Sequence, residues 1–488
     1  MVEQVKSFKY VLLLLALVHC LLVFQQRLLP LVDLPVHLAS ATVYRYFGQE
    51  SNSFAEFFSL RQGLRPNLFH IYFMASTLWP SVEFGAKAFF CLYIILLIIS
   101  VYCFIRVING NCVFAVFAFL LIYNVNSAYG FMAMSLSMPL SVLLYLFAVE
   151  TFQKEKWWQY VLLAFFLSLF FFVHVITTGF LLQVIAVHLL LSHRKSIKGL
   201  LLRSLVLLPA TFTICFWYFN KTFQYQVQAG HSTRGIWRGS FVSDILSRLI
   251  RWPFVDSLEV VGLPVTLLLI AMMVFTLLVY MRANRGKELF DRQSEGLHTL
   301  WPYLGSAVFW HFLLPHKISG EVWISSRFSA FFLLALVVLI SRLRLAGTRN
   351  CLLIATVMCF IHLFAVYSYF VSFDNACQGF DEHMLPHGGK DRIAGLVVAK
   401  AIRIYPVFMH FSDYYTVWKQ GVGASLMLDG AEGTVQRKVD ESVIPKRWHK
   451  DEVPLWDIPE EAVDSLLVRG ELSKEQRKEL HTYEMTKS

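Results

Sequence analysis

Charge is scarce in this chain. Lys, Arg, Asp and Glu make up only 16% of its 488 residues, where a soluble domain carries about a quarter. Cysteines number 8 and fall at no paired spacing. A disulfide framework and a zinc-ribbon pattern are therefore both unsupported, and a Cys inside an apolar run behaves as a small hydrophobe. The motifs of several large classes are missing: no phosphate-binding Gly-x-x-x-x-Gly-Lys, no Gly-x-Gly-x-x-Gly after a strand, no His-Glu-x-x-His and no Gly-x-Ser-x-Gly. Nucleotide-driven transport, zinc proteolysis and the common hydrolase elbow lose their usual signatures. No internal repeat or low-complexity tract is present, so a solenoid and a duplicated transporter half are disfavoured.

Apolar residues fill the space that charge leaves. They make up 57% of the chain, and mean hydropathy is +0.56. Several runs approach or exceed the ~18 apolar residues that cross a bilayer. The runs are continuous rather than alternating, which excludes a β-barrel. The expected fold class is an all-α polytopic membrane protein with about eleven transmembrane helices. Expected spans are 10–24, 84–105, 112–127, 131–149, 158–173, 175–192, 204–219, 259–280, 300–314, 328–341 and 351–370. Residues 1–24 look like a signal peptide without a small-residue cleavage pattern, and are read as a retained first span.

The net charge of +10 would suggest nucleic acid in a soluble protein. Here much of it flanks the spans, so no nucleic-acid partner is expected. Lys and Arg are roughly two and a half times denser in the inner segments of this topology than in the outer ones. That asymmetry predicts a cytoplasmic N-terminus and an extracytoplasmic tail. The expected domains are a helical membrane domain over 1–370 and a soluble α/β-type tail over 371–488. Residues 25–83 form a first outer loop with interfacial helices at 36–47 and 66–78, and 220–257 form a second. The stretch 392–404 could be strand or helix.

Asp33 is the leading chemical candidate. It follows the first span, so it should hover at the outer membrane surface, where a carboxylate can deprotonate or orient an acceptor hydroxyl. Pro35 biases the backbone before it to an extended turn. His37 follows at helical spacing and could share the same face. Against this, Asp before Leu-Pro and an apolar run is also an ordinary helix N-cap. Outward cations form the second group: Arg65, Arg234, Arg238, Arg248, Arg251, Lys317 and Arg327. Arg grips a phosphate in two places at once, although a lone Arg can equally snorkel to headgroups. His174, Asn124 and Asn126 stand at expected hairpin turns within membrane depth, where polar groups are costly. His174 is grouped with the phosphate-binding candidates Arg65, Arg234, Lys317 and Arg327, although a packing role is common for such a histidine.

The layout resembles the GT-C class of integral-membrane glycosyltransferases. The segments that carry the likeness are Pro30-Leu-Val-Asp-Leu-Pro-Val-His37, Tyr129-Gly-Phe131 and Ser325-Ser-Arg-Phe328. They also look like segments of uncharacterised bacterial multi-span proteins of this general kind. The resemblance implies a bacterial inner-membrane enzyme that moves a sugar from a polyprenyl-phosphate carrier to an extracytoplasmic glycan, lipid or protein. It puts Asp33 at the catalytic base, with His37 beside it, and Arg327 at the carrier phosphate. Many members pair two acids in the first loop; here Leu34 follows Asp33, which puts a divalent cation in doubt. No cofactor is certain and no metal ligand is assigned; a divalent cation is the one cofactor the class makes room for. Expected partners are membrane lipid, the lipid-linked sugar and a protein docked at the tail. The competing reading is a non-catalytic scaffold or transport subunit of an envelope assembly, with Asp33 as a cap.

Overall fold

The structure is a computed structural model. It describes residues 2–61, 64–193, 196–228, scattered positions within 242–271, 296–316, 323–342, 348–380, 392–397, 401–402, 405–423, 435–437 and 465–469. The chain forms two compact units, Met1–Gln25 with Cys91–Tyr369, and Gln26–Phe90 with Phe370–Ser488. Helix predominates among the described residues.

Among the described residues, six helices are long and apolar enough to cross a membrane: Phe8–Gln25, Val82–Val107, Met132–Lys154, Val175–His193, Ile197–Asn220 and Leu352–Ala376. At 1.5 Å per residue, about 20 residues give the ~30 Å of a hydrocarbon core. Three shorter apolar helical stretches lie at Cys112–Ala128, Trp157–Val173 and Ile324–Ile340. The chain is therefore a helical protein with several segments long and apolar enough to span a membrane.

Several expected spans take a different local form. Cys112–Leu121 is a 3-10 helix, followed by one short α-turn at Val125–Ala128. In a 3-10 helix, side chains three apart eclipse, and the Phe114 and Phe117 rings stand 5.7 Å apart. The stretch expected at 300–314 is helical over Leu297–Val308 and then widens into a π-turn at Phe309–Leu313. The stretch expected at 328–341 is helical over Ser329–Ile340, with one further short helical turn, Ile324–Arg327, just before it. The span expected at 259–280 falls almost wholly outside the described residues. The helical runs are interrupted at both places where a hairpin turn was expected. His174 is extended between helices Trp157–Val173 and Val175–His193, and Gly130 turns the chain with φ +78° before Met132.

The core of the first unit is aromatic. Phe180 packs against Tyr303, Trp310, Phe328 and Phe331, with ring centroids 5.1–6.0 Å apart. Tyr145 is fully buried; its hydroxyl donates to the Thr299 carbonyl at 2.6 Å and lies 3.1 Å from His188 Nδ1. Tyr145→Phe keeps the ring and strands both partners. It is expected to cost about 1 kcal/mol, read as a lowered midpoint of thermal unfolding in detergent, with no change in spectroscopic helix content.

In the second unit the expected helix at 36–47 runs over Leu34–Tyr46, with Pro35 in its first turn, where a missing N–H costs nothing. The helix expected at 66–78 is shorter, Phe69–Ala75. Asn67 adopts φ +61°, a left-handed conformation that Asn tolerates and a helix does not, so the helix starts beyond it. The undecided 392–404 stretch holds a strand, Arg392–Val397, lying parallel to Val422–Gly423 and Ser465–Arg469. Strand Phe58–Leu60 pairs antiparallel with Val435–Arg437. The first-loop helix Leu34–Tyr46 packs against Phe69–Ala75 and against Tyr414–Lys419 from the C-terminal segment. Ala39, Val43, Phe54, Phe58 and Val422 form the buried cluster beneath it.

Candidate functional site

The first-loop helix is buried on nearly every side. From Leu34 to Val43, His37 alone is not buried. Asp33, His37 and Tyr44 are the accessible or partly accessible positions along this face. Steps of four and seven residues return a side chain to the same side of an α-helix, so these three form one stripe. Over Leu34–Val43 the apolar pattern thus leaves one opening, at His37, with the Asp33 carboxylate on the same side at the helix start.

Asp33 occupies the N-cap position, yet its side chain makes no capping hydrogen bond. Its Oδ1 lies instead 3.7 Å from His410 Nε2. That is ion-pair range, longer than a normal hydrogen bond. The two side chains are 17% and 7% accessible, Asp33 being the more open. The carboxylate is thus partly reachable, while its partner is shielded.

His37 Nδ1 faces His70 Nε2 at 3.1 Å, the rings meeting edge-on with centroids 4.6 Å apart. One nitrogen must donate and the other accept. A proton on both would set two N–H groups against each other, so this contact holds one proton and can pass it either way. Tyr44 continues the stripe and lies against Tyr72, with centroids 5.0 Å apart. Arg65 acts electrostatically on Tyr72. Burial pushes the Tyr72 phenol up from its ordinary value, with Tyr44 adding to the rise and Arg65 opposing it. Burial also pulls the Arg65 guanidinium down.

Arg327 and His174 belong to the first unit. Arg327 is buried, its guanidinium over the Phe131 ring at 4.0 Å, and its carbonyl accepts from Asn126 Nδ2 at 2.9 Å. Tyr129 and Trp323 pack beside it, 4.2 Å between centroids. Trp323 holds φ +57°, a conformation that costs a bulky residue energy. His174 Nδ1 accepts the Thr177 N–H at 3.2 Å, and the Thr177 hydroxyl reaches Ser137 at 2.8 Å. The Arg327 charge acts on His174. Asn124 donates to the Tyr93 hydroxyl at 3.1 Å and to the Leu121 carbonyl at 2.7 Å. Arg248 donates to the carbonyls of His311 and Leu314 at 2.9 and 2.6 Å. Arg234, Arg238, Arg251 and Lys317 lie outside the described residues.

No family model, curated protein or solved structure matches the chain. The site must be judged on its own geometry. Among the described residues, no three His, Cys, Asp or Glu side chains converge closely enough to hold a metal ion.

Three residues of the second unit join the site without having been singled out in the sequence. His70 lies on an amphipathic helix among aromatic neighbours and looks like a packing residue. His410 and the fully buried Asp413 come from the C-terminal segment. Their one local signal is an aromatic run, Tyr405–Tyr415, inside a tail of otherwise ordinary composition. Nothing in that run points to Asp33, because the pairing spans more than three hundred residues of chain.

Proposed function

We propose that the protein is a GT-C-type membrane glycosyltransferase that moves a sugar from a polyprenyl-phosphate carrier to an acceptor hydroxyl outside the cytoplasm. The observation that carries this reading is the accessible stripe on the first-loop helix, where Asp33 and His37 are the polar groups. Asp33 takes the acceptor proton as the hydroxyl oxygen bonds to the sugar's anomeric carbon. The bond from that carbon to the carrier phosphate breaks, and polyprenyl phosphate leaves as an anion. His37 follows Asp33 on the same helix, and its contact with His70 of the neighbouring helix gives the proton a route onward. Arg65, in the same unit and on the Tyr44–Tyr72 side, suits a phosphate oxygen. Arg327 with His174 is a second anion-binding candidate, in the membrane-spanning unit. The test is loss of sugar transfer in Asp33→Asn with the fold retained.

The proposed topology has a cytoplasmic N-terminus, an extracytoplasmic C-terminus and about eleven spans, following the charge asymmetry. A membrane-impermeant thiol reagent applied outside is expected to label a Cys introduced at Gly423 and not one at Gly286. The opposite labelling would put Asp33 on the wrong side for a lipid-linked donor. A non-catalytic scaffold is the second reading. It draws on the close seating of Arg327 over Phe131 at 4.0 Å, a contact that serves packing as well as it serves a ligand.

A further inference from the structure

We propose that His410 is a positioning residue for Asp33: the C-terminal segment supplies an imidazole that keeps the first-loop carboxylate ionised and turned away from its own helix. The inference rests on the transferase reading for its catalytic meaning and on geometry for everything else. An Asp at the N-cap of a Pro-started helix ordinarily accepts an N–H from the next turn. Asp33 does not, and its Oδ1 lies instead 3.7 Å from His410 Nε2.

His410 is set on a fixed platform. The Arg27 guanidinium bonds the Phe380 carbonyl and sits 5.9 Å from the Trp418 ring centroid. Trp418 Nε1 donates to Glu83 at 2.8 Å, and Asn52 Nδ2 donates to Gln420 Oε1 at 3.3 Å. Rings of Phe380, Phe411, Tyr414 and Trp418 stack behind the segment, with centroids 4.8–6.0 Å apart. These ties reach the segment from both flanks of the first outer loop. The imidazole is therefore held where it is, and the carboxylate has come to it.

Titratable groups on the elements packed against this helix include His70 of Phe69–Ala75, and His410 and Asp413 of the C-terminal segment, with His37 on the helix itself. His410 lies in ion-pair range of Asp33, at 3.7 Å. A protonated imidazole there favours the ionised acid, and the ionised acid favours the protonated imidazole, by equal amounts.

The experiment titrates both groups in the full-length protein in nanodiscs. Infrared difference spectra with isotopically labelled Asp follow Asp33, assigned by its loss in Asp33→Asn; NMR of labelled His follows His410. His410→Gln is expected to raise the Asp33 midpoint by about one pH unit, and His410→Lys to leave it low. Asp33→Asn is expected to lower the His410 midpoint by a similar amount. That arm decides the matter even if the His410 variants fail to fold. Unmoved midpoints would overturn the inference. Midpoints that shift while Asp33→Asn keeps full transfer would leave the positioning intact and sink the transferase reading. Lost transfer in Asp33→Asn with an unmoved His410 would do the reverse.

Discussion

Asp33→Asn is expected to abolish sugar transfer while leaving the protein folded and inserted. An amide cannot take a proton from the acceptor, and removal of a general base typically costs about 10²–10⁴-fold in rate. The structural cost is small by comparison. The Asp33 side chain makes no capping hydrogen bond that the substitution could break; even a working cap is worth only ~1 kcal/mol. Asn is a good N-cap residue and can keep a polar contact with His410. Equal expression, equal detergent-solubilised melting and absent transfer would separate chemistry from folding. A fully active Asp33→Asn would move the account to the scaffold reading.

Gly296→Ala is expected to have the largest effect on stability. Gly296 precedes helix Leu297–Val308 with φ +96°. A side chain in that conformation costs about 1–3 kcal/mol by itself. A Cβ there would also stand 2.6 Å from Ile108 Cα and 2.9 Å from the Ile108 carbonyl carbon. Those are backbone atoms, and the Ile108 carbonyl is held by Arg342 Nη1 at 2.7 Å, so the neighbour cannot yield cheaply. Overpacking of this sort adds about 1–3 kcal/mol. The summed expectation is about 2–6 kcal/mol, read as a large fall in melting temperature in nanodiscs. Gly305→Ala supplies the control, because an added Cβ meets nothing within 4 Å. There the better helix propensity of Ala predicts no loss. Equal stability for Gly296→Ala and the wild type would contradict the tight approach at Ile108.

The helices long and apolar enough to cross a membrane were legible because apolar runs of bilayer length are a one-dimensional signal. The helix interruptions at His174 and Gly130 were legible for the same reason, since each falls in a run too long for one helix. The 3-10 form of Cys112–Leu121 was not, because hydrophobicity alone does not distinguish ten residues of 3-10 helix from an α-helix. The π-turn at Phe309–Leu313 depends on how neighbouring helices pack. At the site, Asp33 and His37 could be paired by spacing along one helix. His70 and His410 could not, because each meets its partner through packing of distant segments, and no local pattern records such a meeting. Asp33 also looked like an N-cap by every local rule; the competing partner came from the other end of the chain.

Donor turnover tests the central claim most directly. Purified full-length protein in nanodiscs would be given a mixed pool of polyprenyl-phosphate-linked sugars with a membrane glycan extract as acceptor. Mass spectrometry would follow the released polyprenyl phosphate, the product that any donor sugar leaves behind. Release is expected from the wild type, and none above background from Asp33→Asn. Release that is equal in the two, or absent from both, would contradict the central claim.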